Sequence, residues 1–142
     1  MANEGGYAGV NLRRVERRTV SSGSPYEPVI GFSRAVVAGN HVAVSGTAPI
    51  MPDDGEPPAD AYGQAKRCLE IIVEALREAG ASATDVVRTR TYLVDAADWK
   101  DVGRAHGELF GDVRPTSTMV VVTGFLDPRW RVEMEADAIV DV

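Results

Sequence analysis

Glu133, Glu135 and Asp137 alternate along "RVEMEADAIV", so they share one face of a strand at about 6 to 7 Å spacing. A carboxylate so placed can take a proton or hold a water, but three like charges in a row need cations or solvent beside them. Arg88 and Arg90 alternate in the same way along "VVRTRTYLV" and would supply those cations across neighbouring strands. That structural pairing is the expectation for Glu135 and Asp137. Ser45, Ser117 and Thr118 carry hydroxyls that become nucleophiles only beside a base, and His41 and His106 are the only imidazoles. His41 falls in a hairpin and His106 on the apolar side of a helix. No spacing ties either to a hydroxyl, so both histidines read as structural. No His or acid spacing matches a zinc or calcium site, so neither a metal nor a cofactor is expected. One stretch, "RPTSTMVVV" at residues 114–122, opens polar before its apolar run, as the wall of a pocket or a turn held by hydroxyls would.

The chain around these residues has 142 positions, enough for one domain with a real core. Its 44% hydrophobic and 25% charged composition is that of a globular protein. A net charge of -6 disfavours binding of nucleic acid through a basic surface. Arg13, Arg14, Arg17 and Arg18 read as the solvated side of a first strand. Cys68 is the single cysteine, which excludes an intrachain disulfide, and it falls on the apolar face of a helix. No apolar run is long enough to span a membrane, and the opening residues lack the layout of a signal peptide. The expected location is the cytoplasm, with no membrane partner.

Residues 1–11 read as a flexible leader and residues 12–142 as the domain. Strands are expected over 12–20, 34–38 and 41–47, the last two joined by Gly39-Asn40, a turn that accepts positive φ. "PIMPDDGEPPAD" follows as an exposed loop, because prolines and acids at this density block both helix and ladder. Apolar residues then recur at three and four from Ala61 to Ala79, which predicts a helix with Asp60 as N-cap and Gly80 as its left-handed end. A strand over 86–94 and a helix over 98–110, with Trp99, Val102, His106, Leu109 and Phe110 on one side, come next. Strands over 119–123 and 132–140 complete the order. This predicts an α+β fold in which two helices cover one face of a sheet, and the other face, of mixed character, is expected to pack against another copy.

The blocks "PVIGFSRAVVAGNHVAVSGTAPI", "ASATDVVRTRTYLVDAADWKDV", "RPTSTMV" and "VEMEADAIV" resemble the Rid family, also called YjgF or endoribonuclease L-PSP proteins, in order and at similar spacings. The resemblance implies a chorismate-mutase-like mixed sheet, a homotrimer as the self partner, and small-molecule clefts between subunits. In the best-studied branch it also implies hydrolysis of 2-imino and 2-enamino acids to 2-oxo acids and ammonia. Carried over by position, the cleft would take Phe32, Ser45 and Gly46 from the first block, and Ser117, Thr118 and Met119 from "RPTSTMV". Glu133 would be the catalytic carboxylate that positions water, a reading that stands beside its structural one.

The same alignment exposes departures. Ser117 stands where that branch has the arginine that holds the substrate carboxylate, Met119 where many members have cysteine, Gly103 where a helix asparagine stands, and Phe32 where a tyrosine does. A neutral hydroxyl cannot replace a guanidinium fork. Three functions therefore stand open: a ligand binder or an imine or enamine hydrolase with altered substrate, a 2-imino acid deaminase in which Arg114 or Arg34 substitutes for the clamp, and an endoribonuclease.

Overall fold

The computed structural model describes residue 9 and residues 12–141, so the expected leader lies outside the described residues apart from Gly9. Six strands, β1 (Arg17–Val20), β2 (Ala35–Ala38), β3 (His41–Thr47), β4 (Val86–Leu93), β5 (Thr116–Val121) and β6 (Val132–Ile139), form one sheet in the order β1-β2-β3-β6-β4-β5. Every neighbouring pair is antiparallel except β4 and β5, which run parallel. Two helices, α1 (Ala61–Glu78) and α2 (Trp99–Phe110), supply the cover. This is the α+β architecture the resemblance implies.

Alternation decides which side of the sheet the helices take. On β6 Val132, Met134, Ala136 and Ala138 are buried, while Glu133, Glu135 and Asp137 between them are only half-buried. The buried set joins Ala65, Cys68, Leu69, Ile72 and Leu76 of α1 and Val102, Ala105 and Phe110 of α2 in one core. Alanines at 61, 65 and 75 let α1 lie close to the sheet, and Ile72 and Leu76 supply about 1.5 to 3 kcal/mol each by leaving water. The helix ends at Gly80, whose φ of +87° closes a cap in which the Ala81 amide donates to the Leu76 carbonyl at 2.8 Å. Arg18 adds its guanidinium to the Glu78 and Ala79 carbonyls at 3.2 and 2.6 Å, so one of the basic N-terminal residues serves the negative end of α1.

Several boundaries differ from those the sequence suggests. β1 begins at Arg17 rather than 12, and Glu27–Gly31 forms one π turn where no element was expected. β5 begins at Thr116, three residues before the expected start at Met119, because its hydroxyls are used across the ladder: Thr116 Oγ1 donates to the Val87 carbonyl at 2.9 Å. Asp60 takes the N-cap position of α1 without a side-chain cap bond, and Trp99, expected on the apolar side of α2, is 56% exposed.

Two polar contacts hold the helices in place. Arg131 forks onto the buried Asp98 at 3.1 and 2.9 Å, pinning the start of α2 to the start of β6. Gln64, buried in α1, donates to the Pro58 and Arg129 carbonyls at 2.8 and 3.0 Å and accepts from the Arg131 amide at 2.7 Å. Gln64→Leu leaves all three backbone groups without their partner, for an expected loss on the order of 3 kcal/mol. Urea denaturation checks this, and a loss below about 1 kcal/mol would show that water replaces the amide.

The second face carries the expected ion pairs for Arg90, whereas among the described residues Arg88 makes none. Arg90 reaches Glu135 at 3.3 Å and Asp137 at 3.4 Å, Tyr92 donates to Glu135 at 2.8 Å, and His41 lies 3.2 Å from Asp137. Glu135 and Asp137 are thus structural. Val94, Val120 and Ile139 on this face remain 38%, 43% and 47% exposed. Among the described residues no helix is long and apolar enough to cross a membrane.

Candidate functional site

The first cluster forms where β3 breaks register with β6. Val44 pairs with Ala136 and Thr47 with Met134, so Ser45 and Gly46 together oppose the single Glu135. This bulge turns the strand locally and re-aims its side chains. Ser45 donates from Oγ to the Ser33 carbonyl at 2.5 Å, next to Phe32, which ends the π turn and is 37% exposed. Gly46 lies under Glu133: a Cβ there would sit 3.5 Å from Glu133 Oε2. Phe32, Ser45, Gly46 and Glu133 are thus set at one end of the sheet, by a bulge invisible in the sequence.

Glu133 differs from its two neighbours on the strand. Among the described residues no side chain hydrogen-bonds its carboxylate, and burial raises the carboxyl above its ordinary 4.5, opposed by Arg34 and assisted by Glu135. A carboxyl held high accepts and returns a proton more readily near neutrality than an exposed one. Because the folded chain binds this proton more tightly than the unfolded chain, the stabilising contribution is full below pH 4.5 and is lost as pH rises through the folded value. Glu133→Gln is therefore expected to be the more stable protein at neutral pH and to lose that advantage in acid. Paired urea melts at the two pH values read the difference, and an advantage independent of pH would show an ordinary carboxyl.

Arg34 sits behind this cluster. It is 8% exposed, donates from Nη1 to Thr47 Oγ1 at 2.7 Å and to the Gly46 carbonyl at 3.4 Å, and has a buried Nε without a partner among the described residues. It also borders a crevice of about 310 Å³ with Val20, Ser22, Arg67 and Glu74. Burial lowers its pKa, and Glu27 and Glu133 oppose that. Its bonds commit it to the bulge, three strands from Ser117 in the order β2-β3-β6-β4-β5 once β2 and β5 are set aside. Arg114 is exposed and holds φ at +54°, a strained value for a residue before proline.

The second cluster lies at the β5 edge. Ser117 pairs in register with Thr89 and Met119 with Thr91, so both lie on the helix-covered side, whereas Thr118 pairs with Arg90 and faces the opposite side. Ser117 Oγ is 2.9 Å from Thr89 Oγ1, which is 2.8 Å from His106 Nε2. The His106 ring packs against Phe110 at 4.8 Å, and burial lowers its pKa from 6.5. Ser117 and His106 are therefore tied through Thr89, a link that sequence reading did not anticipate. Thr89 was detectable only as a hydroxyl on the inward alternation of β4. Gly103, one turn before His106, has open space where a side chain would project.

Glu133 and Ser117 thus stand on opposite sides of the sheet, with β4 between their strands, and two ladder spacings alone separate them by about 10 Å. One chain does not bring the two clusters together.

A family model described as Endoribonuclease L-PSP matches residues 23–140. The Streptomyces coelicolor protein SCO2049 is 46% identical over 121 residues, covering 85% of this chain and 90% of that protein. The crystal structure of Rv2704 from Mycobacterium tuberculosis, a member of the YjgF family, superposes with a TM-score of 0.80 at 43% identity over 88% of this chain and all of that one. The 2-iminobutanoate/2-iminopropanoate deaminase of Escherichia coli is more distant, 26% identical over 86% of this chain and 97% of its own length. With the matched sheet order, the two covering helices and a family model spanning most of the chain, this protein belongs to the endoribonuclease L-PSP family, the YjgF or Rid family.

Proposed function

We propose that the protein works as a homotrimer whose subunits complete one another's sites, with the Glu133 cluster of one copy facing the Ser117 cluster of the next across a small-molecule cleft. The separation of the two clusters on opposite sides of the sheet carries this reading, because one copy cannot set both against the same ligand. The bare Val94, Val120 and Ile139 and the open edge of β5 supply the surface for such an assembly.

The chemistry that suits Glu133 is hydrolysis of an imine or its enamine tautomer. Water held by the carboxylate adds through oxygen to the C=N carbon, and its proton passes by way of Glu133 to the nitrogen, giving a carbinolamine. Glu133 then takes the carbinolamine hydroxyl proton and delivers it to the nitrogen, which leaves as ammonia while the C–O bond becomes the carbonyl of the product. The deaminase named among the relatives supports this class of reaction. A site with Ser117 in place of a cation suits a ligand or substrate other than a simple 2-imino acid, held for turnover or for binding alone. A charge of -6 gives no reason to prefer RNA. Light scattering of purified protein tests the assembly: three times the 15.2 kDa chain mass is expected, and a stable monomer at micromolar concentration removes the basis for the shared cleft.

A further inference from the structure

Three side chains from three elements make one continuous line: exposed Ser117 on β5, buried Thr89 on β4 and half-buried His106 on α2, with links of 2.9 and 2.8 Å. Thr89 Oγ1 donates to Ser117 Oγ, so the bond between Thr89 and the imidazole is donated by His106 Nε2–H, and the Ser117 proton is left to point outward. The line so ordered carries no charge and ends in a hydroxyl donor. The burial that holds the His106 pKa below 6.5 keeps the line neutral at pH 7.

We propose that Ser117, Thr89 and His106 form a neutral relay that recognises an uncharged polar group, an amide, alcohol or ketone, on the ligand of the cleft. This rests on the shared-cleft reading above. A carboxylate accepts from the Ser117 hydroxyl but finds no cation in the line to balance its charge. A neutral amide or ketone carbonyl, or an alcohol oxygen, accepts the same proton with no charge to balance. The line is thus a specificity device for the end of the ligand remote from Glu133.

The test compares 2-oxobutanamide with 2-oxobutanoate by calorimetric titration of the full-length assembled protein at pH 7.5. The amide is expected to bind about tenfold more tightly, and Ser117→Ala and Thr89→Val, the second removing the middle hydroxyl at constant shape, are expected to abolish that preference. Binding of the amide should also shift the His106 ring nitrogen resonances, which a purely structural line would leave unmoved. Equal or tighter binding of the carboxylate overturns the proposal, as does no binding of the amide at millimolar concentration or a preference that survives both variants. Glu133→Gln separates the two readings: it should weaken both ligands if the cleft is shared. A loss of preference in Ser117→Ala with no effect of Glu133→Gln would retain the relay and remove the shared cleft. The reverse pattern would remove the relay and retain the cleft.

Discussion

Glu133→Gln and Ser117→Phe proteins, each nearly silent in imine hydrolysis alone, are expected to recover about one quarter of the unaltered activity when refolded together in equal amounts. The fraction follows from the geometry. Each cleft takes one cluster from each of two copies, so in a random mixture half of the clefts have an intact Glu133 and half of those also face an intact Ser117. Losing the carboxylate that takes the water proton costs about 10² to 10⁴ in rate. Ser117→Phe is placed at an exposed position of a strand, where an aromatic residue suits the ladder while filling the space beside Met119. Ammonia release from an imine generated in the assay gives the readout. Recovery near zero in a mixture shown to exchange subunits would mean that the two clusters serve separate sites.

The second large effect concerns the absent guanidinium. Hydrolysis of 2-iminopropanoate is expected to run about two orders of magnitude slower than in a relative that keeps arginine at the Ser117 position, since an anchor in a dry site is worth a few kcal/mol in the transition state. Orientation is lost together with affinity, so kcat should fall as well as kcat/KM. Ser117→Arg is expected to raise the rate, because position 117 is exposed on the edge strand of the sheet. The structure narrows the substitute clamps proposed from the sequence: Arg34 is held at the bulge by Thr47 and Gly46. Arg114, three residues upstream of Ser117, remains, and Arg114→Ala added to the same assay isolates it. A rate equal to that of the arginine-bearing relative, falling on Arg114→Ala, would assign the clamp to Arg114.

Much of the scaffold was legible in residue order. The three-and-four spacing from Ala61 predicted α1 to within a residue, and alternation on "VEMEADAIV" predicted both the shared face of Glu133, Glu135 and Asp137 and the pairing of the last two with an arginine. These are local periodicities, and burial of an apolar stripe enforces them wherever the chain folds. The polar start of "RPTSTMVVV" was harder, because Thr and Ser suit a turn and a strand alike until the neighbouring strand supplies their partners. Val87 and Thr89 supply them, from a parallel strand whose register no local pattern encodes.

By itself the sequence determined the family, the α+β class, the shared face of the β6 carboxylates and the absence of arginine at position 117, because composition, period and motif are properties of neighbours in the chain. The tertiary structure alone decided which of those residues meet. The bulge that sets Gly46 under Glu133, the capture of Arg34 by Thr47, and the line from Ser117 through Thr89 to His106 all join positions at least 12 residues apart. So does the placing of Ser117 and Glu133 on opposite sides of one sheet, which follows from strand order and register. Side-chain direction flips with every single-residue slip of a strand, so these meetings are set by the pairing of the whole sheet and not by any segment within it.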